Sequence, residues 1–389
     1  MESLDPRSQN NSGETVCAKH IITEEEVNSA KENIKKFNDT VTLKLELKSL
    51  HYPTFIYDKS SLDFKDIKNP PYGQCFTTAF NEEGNLLACG YSNGHVNIFN
   101  LNTKKEPVKF KVADYPVTSL KWNNKKQTTL LVGSADGYVT HWHASSGKVL
   151  NSIKEIDNAI NSVDYNSDYK RFITAGTDIT VRLYDENMKS LITSLKTKVF
   201  EEPGHSGRIF ACKFASFDNN VVFSGGWDKT IQFYDVRAGK ITNSIFGPEI
   251  CGDSLDNADY IIASGAWSPK EQVQLWDFRT LGKICDVKWE NDDTYIPTYI
   301  HTLRFSKRRD RKFLSVGAGN GGLFRLFDMN TFSFDKGLNE NNVPKVTFGN
   351  KDKYDDVFSS DWIKLDSKHE LYACGCGDGG IRLYSLEGK

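Results

Sequence analysis

The chain has 389 residues with 49 Lys plus Arg against 51 Asp plus Glu, a net charge of −2. Such cancellation excludes a field that would pull the whole molecule onto nucleic acid or an anionic membrane; any such partner needs a local patch. A 38% hydrophobic share with 29 glycines excludes wholesale disorder, and the lack of an 18-residue apolar run or apolar leader predicts an intracellular protein with no membrane helix.

In chain order, the polar residues 1 to about 20 are expected to be disordered when free. Thr23 and Glu26 then form a capping box. Behind it, Val27, Ala30, Ile34 and Phe37 recur at helical spacing, which predicts a short amphipathic helix that packs on the chain's own rim or on a partner. Residues 1–40 are thus read as tail and helix, and 41–389 as the folded domain. Val41, Leu43, Leu45 and Leu47 alternate with polar residues, as a half-buried strand requires.

From about residue 72 to 387 one pattern occurs seven times: an apolar strand, a strand of small residues, a tight turn and a strand ending in an aromatic. The last strands read VNIFN, VTHWH, VRLYD, IQFYD, VQLWD, FRLFD and IRLYS, and their aromatics are Phe99, Trp142, Tyr184, Tyr234, Trp276, Phe327 and Tyr384. Asn93-Gly94, Asp136-Gly137, Asn320-Gly321 and Asp378-Gly379 supply the positive φ that hairpin turns need, and Asp178 and Asp228 hold the same place in the third and fourth repeats. Four residues before each turn stand small side chains, among them Cys89, Thr174, Ser224 and Cys374. The seventh repeat ends soon after its third strand. A segment near 41–57 is therefore expected to supply its missing outer strand and close the ring.

This repeat resembles the WD-repeat family, which implies an all-β, seven-bladed propeller with a short N-terminal helix and a closing strand. Carried over to the fourth repeat, the resemblance implies that His205, Ser224, Asp228 and Tyr234 form a buried structural network rather than a hydrolytic triad. Phe99 and Phe327 carry no hydrogen-bonding group, so their blades are expected to have incomplete networks.

No phosphate loop, zinc helix or nucleophile elbow is present, and the GAGNGG run at Gly317–Gly322 precedes a strand, where no helix dipole backs it. The eight cysteines are read as reduced and the histidines lack metal-ligand spacing, so no enzyme activity, cofactor or metal is expected. Lys104, Lys105, Lys125, Lys126, Lys170, Arg171 and the cluster Lys307, Arg308, Arg309, Arg311 and Lys312 fall on loops of one face, the bottom. Glu201, Glu202, Glu290, Asp292, Asp293, Asp352, Asp355 and Asp356 fall on the other. The basic face suits an acidic partner such as tubulin tails; nucleic acid does not fit, because no aromatics interleave the lysines.

On the opposite, top rim, Tyr115, Arg208, Phe210, Trp227, Trp267 and Tyr299 are candidate partner-binding residues, being of the types that dominate interfaces. Arg237 and Arg279 end segments, IQFYDVR and VQLWDFR, that resemble the WDxR element of cullin-RING ligase substrate receptors. The fifth repeat also resembles WD-repeat proteins of ciliated and flagellated eukaryotes. The expected function is a non-catalytic scaffold in a multi-protein complex, cytoplasmic or associated with cytoskeleton or cilium, with the nucleus still open; the alternative is a ubiquitin-ligase receptor.

Overall fold

A computed structural model describes residues 73–103, 106–126, 128–195, 204–287, 299–307, 313–319, 324–329, 346–348, 356–364 and 369–387. All lie within one compact unit, Glu46–Glu387; the second unit, Met1–Leu45 with Gly388–Lys389, lies outside the described residues, as do the expected helix and closing strand.

The unit is a seven-bladed propeller. Blade 1 holds β1 (Cys75–Phe80), β2 (Leu86–Tyr91), β3 (His95–Asn100) and β4 (Val108–Lys111). Blade 2 holds β5 (Val117–Asn123), β6 (Thr129–Ser134), β7 (Tyr138–His143) and β8 (Lys148–Lys154); blade 3 holds β9 (Ile160–Tyr165), β10 (Arg171–Gly176), β11 (Val181–Asp185) and β12 (Leu191–Leu195). Blade 4 holds β13 (Ile209–Phe214), β14 (Val221–Gly226), β15 (Thr230–Asp235) and β16 (Lys240–Phe246); blade 5 holds β17 (Leu255–Ala258), β18 (Ile261–Gly265), β19 (Val273–Asp277) and β20 (Gly282–Val287). Blade 6 holds β21 (Ile300–Phe305), β22 (Phe313–Ala318), β23 (Phe324–Asp328) and β24 (Val346–Phe348), and blade 7 holds β25 (Val357–Lys364), β26 (His369–Cys376) and β27 (Ile381–Glu387). Each sheet is an antiparallel meander in sequence order, and among the described residues the seventh has three strands where the others have four.

Neighbouring blades meet through one repeated contact. The second strand of a blade carries a glycine where a residue at the start of the next blade presses in. A Cβ on Gly90 would stand 2.5 Å from Val117 Cγ1, one on Gly133 2.8 Å from Ile160 Cγ2, and one on Gly317 2.5 Å from Val357 Cγ1. Real Cβ atoms essentially never come this close, so a side chain at these positions would force the facing methyl groups to shift. The same contact closes the ring, because Gly375 of blade 7 faces Cys75 of blade 1.

In six blades the innermost strand has a one-residue β-bulge at its second residue, which drops out of register with the neighbouring strand. The bulged residues are Phe76, Thr118, Asn161, Phe210, His301 and Phe358. Blade 5 has no bulge; there Asp253 bridges to Thr302 of blade 6 and Ile250 fills the space above Gly225.

Three residues past each bulge the innermost strands carry Lys121, Asp164, Lys213, Arg304 and Asp361, with Asp256 at the matching place in blade 5. From blade 2 to blade 7 the signs therefore alternate. Blade 1 has Ala79, which prevents two like charges from meeting in a ring of odd number. Lys121 lies 3.6 Å from Asp164, Lys213 lies 2.8 Å from Asp253, and Arg304 also pairs with Asp253. The carboxylates also join the blades: Asp164 accepts from Phe214 N at 3.0 Å, Asp256 from Phe305 N at 2.8 Å and Asp361 from Phe80 N at 2.8 Å. Burial, reinforced by Arg304 and Lys121, holds Lys213 below the usual lysine range. Replacing Asp164 with Ala strips an acceptor from Phe214 and a counter-ion from Lys121, and should cost about 1–3 kcal/mol in denaturant unfolding.

Candidate interaction surface

In blade 4 four buried side chains form one polar network. His205 Nδ1 lies 2.8 Å from Asp228 Oδ2 and His205 Nε2 lies 2.7 Å from Ser224 Oγ, which meets the Tyr234 hydroxyl at 3.2 Å. Burial alone would raise the Asp228 carboxyl, but the His205 hydrogen bond and charge hold it below the usual carboxylate range. Ser224 is wholly buried, so no substrate can reach its hydroxyl, and the set satisfies polar groups inside a blade.

Blade 3 builds the same network from different residues. Glu155 takes the histidine's place and accepts from Thr174 Oγ1 at 2.6 Å, Tyr184 OH at 2.9 Å, Asn158 Nδ2 at 2.7 Å and Arg182 Nη1 at 2.9 Å. The sequence carried a signal for this: Glu155 precedes Asp178 by the same interval that separates His205 from Asp228.

A second cluster joins blades 2 and 3 at the bottom around Glu186, which is 1% exposed. His141 Nε2 stands 3.0 Å away, Tyr165 OH donates at 3.1 Å, Asn123 Nδ2 at 3.1 Å and Lys189 Nζ at 2.5 Å. Burial works to raise this carboxyl, yet the hydrogen bonds from His141 and Lys189 carry it down to about 2. Burial also lowers His141, against the pull of Glu186.

The top rim is defined by the end of the ring where the innermost strands begin. Three of the expected residues meet there in blade 4: Arg208 sits over the Trp227 ring at 5.4 Å, and Phe210 packs on the same ring at 5.3 Å. Trp227 is 40% exposed and lies beside Cys251, whose thiol burial pushes up. Trp267 and Tyr299 form a separate edge-on pair at 5.0 Å. Tyr115, 59% exposed, stands apart and has no aromatic partner among the described residues.

Three residues that sequence reasoning passed over complete the rim. His301 lies 6.3 Å from Trp267 and 4.9 Å from Phe358, which meets Phe76 edge-on at 5.2 Å. These are bulge residues of neighbouring blades. Equivalent positions touch only where strands converge, so they mark the mouth of the central channel. In blades 2 and 3 the same positions are polar and already committed: Thr118 Oγ1 donates to Ile160 O at 2.6 Å, and Asn161 Nδ2 to Ile209 O at 2.8 Å.

The remaining candidates are placed less favourably. Lys307 pairs with Asp361 at 3.1 Å, so its charge is partly spent, while Arg308, Arg309, Arg311 and Lys312 lie outside the described residues. Arg237 and Arg279 each fold back onto the aspartate two residues earlier, with Nη2 at 2.8 Å from Asp235 and Asp277 respectively, while their side chains stay largely exposed. No group of three or more His, Cys, Asp or Glu among the described residues could hold a metal.

Seven meandering sheets around a mouth, with a His-Ser-Asp-Tyr network inside a blade, give the chain the architecture of a seven-bladed WD-repeat propeller. WD-repeat propellers are non-catalytic scaffolds that mediate protein interactions. Residues 195–235 match the family described as "WD domain, G-beta repeat", and residues 68–184 match "Nucleolar protein 10-like, N-terminal domain". Similar proteins include the Periodic tryptophan protein 2 homolog of Dictyostelium discoideum, 23% identical over 52% of this chain and 21% of the relative. Eukaryotic translation initiation factor 3 subunit I of Bombyx mori is 29% identical over 36% of this chain and 40% of the relative, and Autophagy-related protein 16 of Arabidopsis thaliana 22% over 66% and 45%. The chain spans less than half the length of each of these relatives.

Proposed function

We propose that the chain is a docking scaffold within a multi-protein assembly and that its partners engage the top rim. The observation that carries this reading is two pairs of partly exposed rings on the top rim, Trp227 with Phe210 and Trp267 with Tyr299, which offer interface chemistry on one face. The relatives' names span nucleolar, translation-initiation and autophagy proteins, which favours a shared scaffold role over a shared reaction. Trp227→Ala with Trp267→Ala should leave the fold intact and remove most partners recovered from the native cell. Unchanged recovery would count against the top rim.

A narrower form places the assembly on the cytoskeleton or axoneme, with an acidic partner such as tubulin tails on the bottom face. Reversing Arg308, Arg309 and Arg311 to Glu should then abolish salt-sensitive binding to microtubules. A second reading, a cullin-RING ligase receptor, is favoured by the matched settings of Arg237 and Arg279, each rigidified by its own aspartate. Arg237→Ala or Arg279→Ala should then lose the cullin adaptor; a wild-type protein that recovers no adaptor retires this reading.

A further inference from the structure

We infer that Ser268 is a phosphate acceptor for a proline-directed protein kinase, and that the phosphate releases partners from the adjoining Trp267 and Tyr299. The site stands on the hairpin that carries it; the release rests on the top-rim reading and adds its regulation.

The blade-5 hairpin departs from its equivalents. Seven residues, Ala266 to Gln272, separate β18 from β19, where three separate the matching strands in blades 1, 2 and 4 and four in blades 3 and 7. The excursion is fastened at its base. Ala266 N donates to Gln272 O at 2.7 Å, Trp267 N to Glu249 O at 2.8 Å and Gln272 Nε2 to Pro269 O at 2.9 Å. Above that base Pro269, Lys270 and Glu271 are exposed and Ser268 is half-buried. The extra length therefore lifts a short segment off the rim without loosening the blade beneath it.

That segment holds the one Ser-Pro or Thr-Pro pair in the 389 residues. Proline has a fixed φ and no N–H, and it biases the residue before it toward extended backbone. A kinase cleft that offers no acceptor to the residue after the serine admits proline and penalises every other residue, whose buried N–H would go unpaired. The Ser268 hydroxyl oxygen accepts from Lys270 N at a long 3.4 Å, which leaves it free to react. In the transfer this oxygen attacks the γ-phosphorus of ATP. The Oγ–P bond forms as the bond from phosphorus to the β,γ-bridging oxygen breaks, ADP leaves, and the hydroxyl proton passes to the kinase's catalytic carboxylate.

The surrounding charges decide what the phosphate does. Phosphoserine carries about −1.5 to −2 charges at neutral pH, and it orders a loop where cations stand ready to receive it. This hairpin holds one lysine and no arginine, Glu271 has the same sign as the phosphate, and Lys283 is divided between Glu271 at 3.5 Å and Asp286 at 2.9 Å. The phosphate thus stays hydrated, one residue from Trp267, whose ring meets Tyr299 at 5.0 Å. A partner that covers these rings has to strip water from that charge, and docking weakens.

The test incubates the full chain with a purified mitogen-activated protein kinase and ATP. Intact mass and peptide mapping should show one phosphate, on Ser268. Ser268→Ala should take up none there, and Pro269→Ala, which keeps the hydroxyl, should react about tenfold more slowly. The chain purified from its native cell under phosphatase inhibition should carry the same phosphopeptide. No phosphate on Ser268 in either preparation overturns the site. The phosphorylated chain should melt at the unmodified temperature and recover native partners about fivefold less well, whereas Ser268→Ala treated with the kinase should recover them fully. Undiminished recovery by the phosphorylated chain overturns the release. The variant carrying Trp227→Ala and Trp267→Ala then separates the two readings: if it loses the partners, the docking rim stands and only the switch falls, and if it keeps them, both fall.

Discussion

Glu186→Ala should cost about 3–5 kcal/mol, a large part of the stability of an ordinary domain. The substitution removes the acceptor shared by His141, Tyr165, Asn123 and Lys189 across the seam of blades 2 and 3, leaving an ammonium and three polar groups in a pocket that was 1% exposed at its centre. Urea unfolding should show the drop as a lower midpoint with an unchanged slope. Glu186→Gln keeps the shape and part of the hydrogen bonding, and should fall between the two. A loss below about 1 kcal/mol for the alanine variant would mean that Lys189 simply swings to solvent and the cluster adds little.

The same cluster sets an acid limit. Glu186 is lowered in the folded state from about 4.5 to about 2, so its contribution is whole above pH 4.5 and is lost as pH falls toward 2. The loss amounts to no more than about 3 kcal/mol over that window. His141 is also lowered on folding, so its contribution is present above the usual histidine value and begins to fade as pH drops below 6.5. Both act in one direction, and melting temperature should decline from pH 6.5 downward and steepen below 4.5. Glu186→Gln should remove the steeper part.

Gly375→Val should be the most damaging single change at the ring's seam, because blades 7 and 1 close there. A Cβ at this position would stand 2.7 Å from Cys75 Sγ and 3.0 Å from the Cys75 carbonyl oxygen, and backbone cannot rotate away as a side chain can. Overpacking of a core typically costs about 1–3 kcal/mol, and a clash with backbone lies at or beyond the upper end. The expected outcome is aggregation during expression, or a melting temperature many degrees lower if the variant is recovered. Gly282→Ala is the matched control: its nearest contact is Thr280 Oγ1 at 3.3 Å on an exposed turn, and its effect should be within about 0.5 kcal/mol. Equal tolerance of both changes would show that the ring can loosen at its closure.

The repeat, and through it the blades, was legible in local signals along the chain. The third-strand aromatics, the Asn-Gly and Asp-Gly turns and the small residues four places earlier are local signals, and β3, β7, β11, β15, β19, β23 and β27 lie where those motifs placed them. The His205, Ser224, Asp228 and Tyr234 network was equally legible, since each member has a set place in the repeat. What required the tertiary structure was whatever depends on several blades at once. The alternating charges from Lys121 to Asp361 stand forty or more residues apart and gain meaning only when the axis brings them together. Phe76, His301 and Phe358 read in the sequence as ordinary strand residues, with the alternation of a buried strand. One inserted residue per innermost strand shifts the register and turns these side chains from the space between blades to the channel mouth, and a bulge leaves no mark that residue spacing alone can reveal.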